Sequence, residues 1–323
     1  MKRAGEEGVA LLTVLLLVAV MATLSVAVLD DIRFSLRRTA NAEAVGQARW
    51  YALGAETLAK AQIARLNAAG GGRTTLQGGW HGRPLSFPLE GGTLEAKVTD
   101  GAACFNLNSV VQGVGEVLER REAGVAQFVA LAQALDVPEA ERLAAALVDW
   151  IDVDILRESG GAEDESYAEG GEGWLTAGTL LAEPSELRAV RGFEPGVYAR
   201  LRPFVCALPT TELSPINVNT LPPEKAVLLT MLTEGRLPIP AGRRILEARA
   251  PGGWASTADF WEEPGLQDAA PGEAALAQVG VRSRFFALET EVAYLDAEVT
   301  ASALLEDEGG RVRLVARRWG PQE

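Results

Sequence analysis

From Val9 to Leu29 the chain runs for about 21 residues without a charge, broken only by the hydroxyls of Thr13, Thr23 and Ser25. As a helix rising ~1.5 Å per residue this is about 31 Å, enough to cross the hydrocarbon core of a bilayer. Three readings of the segment stay open on the residues alone. It can be a secretory signal peptide, for which Ser25-Val26-Ala27 offers a small-x-small cleavage site, although the run exceeds the usual ~7–15 residue core of such peptides. It can be a plain transmembrane anchor, whose orientation the basic residues do not settle: Lys2 and Arg3 precede it, and Arg33, Arg37 and Arg38 come after it. Or a short polar leader ending at Gly8 is removed, and the apolar run stays on the mature chain. The residues beyond the run favour the third. No proline occurs before Pro84, and Ala44, Ala48, Tyr51, Ala55, Leu58, Ala59, Ile63 and Leu66 recur at helical spacing. The pattern predicts one helix from Val9 to about Leu66, about 87 Å long, apolar all round in its first half and amphipathic in its second. Such an amphipathic half must lie against a sheet.

Strand signals occur at both ends of the remaining chain, over about 73–104 and about 284–318. Leu94, Ala96 and Val98 alternate with Glu95, Lys97 and Thr99; Val299, Ala301, Ala303 and Leu305 alternate with smaller or polar residues. Asp307-Glu308-Gly309-Gly310 then reads as the turn of a hairpin, followed by Val312, Leu314 and Ala316. The fold class is therefore α+β, a long N-terminal helix on an antiparallel sheet completed from both ends of the chain, with a large helical insertion. Within the insertion Asn106-Leu107-Asn108-Ser109 is matched by Asn217-Val218-Asn219-Thr220. Each leads into helical periodicity, from Val125 to Val148 and from Ala226 to Ala248. An internal duplication and two unrelated helix starts both account for this.

Composition removes several function classes. The 323 residues carry 44 acids against 30 Lys+Arg, a formal charge of -14, which disfavours a phosphate backbone as partner. One His and two Cys cannot build a His- or Cys-rich zinc site, and His81, in Gly78-Gly79-Trp80-His81-Gly82, reads as an exposed loop histidine, not a triad base. No enzyme is expected. The excess acid is concentrated: about fifteen acids against four arginines lie between Asp136 and Glu194. The densest part is Asp149-Trp150-Ile151-Asp152-Val153-Asp154, followed by Glu158, Glu163-Asp164-Glu165, Glu169 and Glu172. Clustered carboxylates are protonated, solvated apart or bridged by a cation; a hard ion such as Ca²⁺, with 6–8 oxygen ligands, is one reading and a solvated loop the other. Cys104 and Cys206 are a disulfide in an oxidising compartment or two buried thiols.

The motifs carry two resemblances. Ile216-Asn217-Val218-Asn219-Thr220, with two short helices and Trp254 to Phe260 beyond it, resembles helix-hairpin-helix modules of competence-type DNA-binding proteins. The hairpin, Leu237-Pro238-Ile239-Pro240-Ala241-Gly242, lacks their paired glycines and has two prolines without N–H donors. A membrane-anchored DNA-binding protein is thus the second reading, with Arg243, Arg244 and Arg249 as its candidate phosphate contacts.

The first reading covers residues 3 to 320. The leader Gly8-Val9-Ala10-Leu11-Leu12-Thr13 resembles type IV pilin-like proteins. With Phe105-Asn106-Leu107-Asn108, Asp149-Trp150-Ile151-Asp152-x-Asp154, Gly161-Ala162-Glu163-Asp164-x-x-Tyr167, Ala207-Leu208-Pro209, Asn217-Val218-Asn219-Thr220 and Arg317-Arg318-Trp319-Gly320, the chain resembles the largest minor pseudopilin of bacterial type II secretion, the GspK family. Thr13 stands where major pilins carry a glutamate, and members of this family resemble it in lacking that acid. The resemblance implies a leader at 1–8, a membrane and filament-core helix at 9–29, a pilin-like domain at 30–104 and 284–323, and an insertion of two units, 105–213 and 214–283. It implies cleavage after Gly8 by a prepilin peptidase and methylation of Val9. It places the protein once across the inner membrane, among its lipids, with the C-terminal domain in the periplasm. It further implies a tip complex with I- and J-type minor pseudopilins above the major pseudopilin, and Ca²⁺ in the insertion. By motif, the candidate ligands are Asp149, Asp152, Asp154, Glu163 and Asp164.

Overall fold

The computed structural model describes residues 6–114, 117–169 and 175–321. Helix α1 runs unbroken over Glu6–Ala69. Strands β1 (Leu85–Leu89), β2 (Gly92–Asp100), β3 (Phe285–Tyr294), β4 (Ala297–Glu308) and β5 (Arg311–Trp319) form one antiparallel sheet in that order. The β2–β3 pairing, from Gly92 opposite Tyr294 to Asp100 opposite Phe286, joins the two ends of the chain. The β4–β5 hairpin turns at Gly309-Gly310, where both residues have positive φ. The stretch from Arg73 to Pro84, expected to begin the first strand region, is instead loop. Glycines 78, 79 and 82 have positive φ there, and the segment contributes only an isolated bridge between His81 and Val98. That bridge makes His81 half-buried, packed edge-on to Trp80, and not the exposed loop residue expected.

The second half of α1 lies on the sheet through small residues. Ala48, Ala52, Ala55, Ala59 and Ile63 are buried against Leu94, Phe286, Leu288, Val292 and Leu305, and Ala44 is buried too. The stripe runs one residue round from part of the expected one. Ala52 faces the sheet, whereas Leu58 is 61% exposed on the other side of the helix. Alanines let the helix backbone come close but bury little area each, so packing alone holds this interface weakly. An ion cluster adds to it. Glu56, buried in the interface, takes Arg317 of β5 through Nε and Nη2 at 2.9 and 2.7 Å and Lys60 at 2.7 Å. Burial pushes its carboxyl up, but the two cations outweigh that and hold it below the ordinary glutamate value. Glu56→Ala strands Arg317 and Lys60 and is expected to cost about 3 kcal/mol in chemical denaturation of the full chain. A loss under about 1 kcal/mol would show that the cluster merely decorates the interface.

The largest hydrophobic core is in the insertion, and both its units share it. Phe105, Phe128, Leu131, Leu147 and Ile151 pack with Ile216, Val218, Leu228, Leu229 and Phe260. The two units repeat one arrangement. Asn106 Oδ1 accepts from Asn108 N–H (3.2 Å), and Asn217 Oδ1 accepts from Asn219 N–H (2.9 Å). Ser109 and Thr220 donate back to the carbonyls of Asn106 and Asn217. The Asn108 amide brackets the backbone of Leu181, and that of Asn219 brackets Trp254 in the same way. Phe105–Asn106 pairs in parallel with Val205–Cys206, and Ile216–Asn217 with Val279–Gly280. One repeated motif therefore fixes two turns by the same side-chain chemistry.

The periodicity from Val125 to Val148 is not one helix but two, α2 (Glu122–Ala134) and α3 (Ala140–Ile151). Pro138 and left-handed backbone at Asp136 and Glu139 break it between them. In the second unit α4 (Val227–Leu232) and α5 (Ile239–Ala248) take the corresponding places. A disulfide joins Cys104 to Cys206, with Cα atoms 5.7 Å apart, closing the first unit at its base.

Candidate functional site

The acidic knot is organised by the end of α3. Asp149 lies in its last turn and Asp152 caps it, donating its N–H to Val148 O (2.9 Å). Carboxylates at a helix C-terminus meet the negative end of the helix dipole, which adds to their mutual repulsion. Trp150 is buried against Tyr167 at 5.4 Å between ring centroids, so the apolar residues of the acidic run anchor it while the acids converge. Gly161 lets the chain close over Asp149: a Cβ there would stand 2.1 Å from Asp149 Oδ2.

Of the five candidate ligands, the fold brings Asp152, Asp154 and Glu163 together, with one oxygen from each within 4.8 Å of the others. Oxygens around a single Ca²⁺, at about 2.4 Å each, lie up to ~5 Å apart, so the trio fits one hard cation. Asp149 adjoins the trio. Its Oδ1 accepts from Glu158 N–H at 3.0 Å. Asp164 turns to another task, its Oδ1 accepting from Thr176 N–H (2.8 Å) and Oγ1 (2.9 Å). Among the described residues, Asp149 Oδ2, Asp152 Oδ1 and Glu163 Oε1 are buried without a hydrogen-bond partner. Three orphaned carboxylate oxygens in one place are costly unless a proton or cation satisfies them.

Electrostatics agrees. Burial, then the charges of Asp154, Asp149 and Glu163, push the Asp152 carboxyl up to about 7. Burial and Asp149 lead in pushing Glu163 up to about 7, and burial also raises Asp149. Glu158 stands apart, paired with Arg120 at 3.2 Å. Glu172 lies outside the described residues, as does the side chain of Glu169. Sequence patterning found the acids and Gly161 as part of a motif, but not that this glycine closes the knot over Asp149.

The other functional surface is the first half of α1. Its residues from Val9 onward are exposed, and its most apolar window has a mean hydropathy of 2.7. Thr13 donates to Ala10 O, Thr23 to Val20 O and Ser25 to Met21 O, each at 2.8 Å. The hydroxyls are thereby satisfied within the helix, as a segment surrounded by hydrocarbon requires. The helix is long and apolar enough to cross a membrane. Among the candidate DNA contacts, Arg249 is spent internally on the carbonyls of Val218 (2.6 Å) and Leu221 (2.8 Å). Pro238 and Pro240 begin α5 where backbone donors would be needed. The helix-hairpin-helix reading gains no support from this geometry.

Two family models described as "Type II secretion system (T2SS), protein K" match residues 103–210 and 216–282, the two units of the insertion. The type II secretion system protein K of Klebsiella pneumoniae is 37% identical over 98% of this chain and 97% of its own. The chain belongs to the type II secretion system protein K family. The protein K of Pectobacterium carotovorum is 34% identical over 98% of both chains. A chain in the crystal structure of the GspK-GspI-GspJ complex from the enterotoxigenic Escherichia coli type 2 secretion system matches with a TM-score of 0.77 and 31% identity. The match covers 88% of this chain and all of that one. The GspK fold, an apolar N-terminal helix on an antiparallel sheet with a helical insertion, is thus the fold of this chain, a minor pseudopilin whose N-terminal helix is long and apolar enough to cross a membrane once.

Proposed function

We propose that the protein sits at the outer end of the type II secretion pseudopilus, where it starts assembly with I- and J-type minor pseudopilins and supports export of folded proteins across the outer membrane. The observation that carries this is the likeness over 88% of the chain to a chain of a solved GspK-GspI-GspJ complex. The physics of α1 supports the position. A glutamate buried in an apolar filament core is costly unless it meets a neighbour's amino terminus. Thr13, its hydroxyl already bonded at Ala10, needs no neighbour above it. The insertion, far wider than α1, would block the next subunit.

In this reading a prepilin peptidase cuts after Gly8 and Val9 becomes the methylated N-terminus. The helix rests in inner-membrane lipid and then packs beside the major pseudopilin, with the sheet and insertion in the periplasm. Asp152, Asp154 and Glu163, with Asp149 adjoining, hold a structural Ca²⁺. Bound there, the ion supplies the positive charge that lets four converging carboxylates stay ionised.

The test is made on protein from native membranes. Its N-terminus is expected at a methylated Val9, and the I- and J-type pseudopilins are expected to co-purify at fixed ratio. An N-terminus at Val28 would make it a conventional secreted protein, and its detection along the length of pseudopili would remove the tip assignment.

A further inference from the structure

A cleft of about 240 Å³ opens between α3 and the loop that carries the acidic knot. Arg142 of α3, Arg157 of the loop and Arg191, in the turn after the short helix Pro184–Ala189, all line it, together with the small apolar residues Leu143, Ala146 and Ala162. Glycines make the space. Gly160 and Gly192 have positive φ, and Gly161 backs directly onto Asp149. The carboxylate in the lining is Glu139, which Arg142 already holds at 2.9 Å. Arg157 and Arg191 make no ion pair with any described residue. In a chain of net charge -14, with an acidic knot next door, Arg157 and Arg191 thus line one cleft without a carboxylate partner among the described residues.

Guanidinium forks match carboxylates in two-point geometry, so a cleft with three arginines in its lining suits an anion that carries more than one carboxylate. A cleft of this size holds a few heavy atoms, and its small apolar residues suit the short methylene body of a dicarboxylate or of an acidic side chain. We propose that Arg157, Arg191 and Arg142 form a carboxylate-binding site, filled by a small multivalent carboxylate or by the acidic side chains of a partner segment. The site stands on the cleft alone and holds whether or not the adjoining knot carries a cation.

The full chain in neutral detergent, at constant calcium, is titrated by calorimetry with succinate and separately with a tetraglutamate peptide. Saturable one-to-one binding of the peptide is expected, weakened at least tenfold in Arg157→Gln/Arg191→Gln and unchanged in Arg243→Gln/Arg244→Gln, which removes the same charge from the exposed face of α5. All four arginines are exposed, so the variants are expected to melt as the parent does. Succinate binding with the same variant pattern identifies a free dicarboxylate as sufficient; peptide binding alone identifies a protein segment as the ligand. Absence of saturable binding by both probes overturns the site. So does binding that survives in Arg157→Gln/Arg191→Gln, which lies elsewhere on the chain, or that falls equally in the α5 variant, which reports only net charge.

Discussion

Stripped of divalent cations, the protein is expected to lose about 4 kcal/mol of stability as the pH rises from about 4 to above 7, and Ca²⁺ is expected to restore it. The sign follows from Asp152 and Glu163, whose folded values of about 7 lie above the ordinary 3.8 and 4.5. The native state therefore binds more protons than the unfolded chain within that window. Their contribution is fully present below the unfolded values and vanishes as the pH rises through about 7. Taken separately, shifts of this size would amount to ~8 kcal/mol at ~1.4 kcal/mol per unit. The two groups share part of the same repulsion, so about half is the realistic sum. Urea denaturation at pH 5, 6, 7 and 8, with chelator and with calcium, measures it. Asp152→Asn/Glu163→Gln should flatten the pH slope and abolish the calcium response together. A metal-free parent whose stability is flat across this range would show that the acids are solvated apart.

Removing the disulfide is the second large effect. Cys104 and Cys206 lie 102 residues apart, and closing a loop of that length removes about 4–5 kcal/mol of chain entropy from the unfolded state. The bond stands where the first unit leaves the pilin-like domain and leads on to the second unit. Lys225 of the second unit also donates there, to Ala103 O at 2.6 Å. Cys104→Ser/Cys206→Ser is expected to lower the denaturation midpoint by an amount worth about 4 kcal/mol, and reduction of the parent should reproduce the loss. If the double variant is as stable as the parent, the insertion core and its polar contacts fix this base unaided.

Much of this molecule was legible in the residues, and what was not has identifiable causes. The uncharged run and proline-free stretch gave α1, and strict alternation gave β2, β4 and β5, because one face of each is wet. Helical spacing misplaced part of the stripe on α1, for Leu58 looks like a core residue and the sheet accepts Ala52 instead. Close approach of two backbones selected the smaller side chain, which no hydrophobicity scale ranks first. The break at Pro138 was visible as a residue, but its left-handed neighbours Asp136 and Glu139 were not. In the knot, acid content was readable and grouping was not. Asp164 comes next to Glu163 in sequence yet serves Thr176, because it begins the short helix Asp164–Glu169 while Glu163 still lies on the loop before it.

The polar joint beneath the insertion was invisible in sequence. Asp100 accepts from Ala102 N–H, Thr220 and Ser283; Asn217 reaches Ser283 and Thr74; Thr74 bonds Asn67, and Asn67 bonds Asp307. These residues come from six separated places in the chain, and only the finished fold assembles them.

The pairing of β2 with β3 has a consequence for biogenesis. The alanine stripe of the stalk is covered by little beyond Leu94 of β2 until the last forty or so residues have been made. Both repeated units precede those residues and share a core of their own, so they can settle first while the stalk waits. Any chain cut short before β3 therefore has a finished head and a largely uncovered stalk, an aggregation-prone product that quality-control proteases can recognise without reading the head at all.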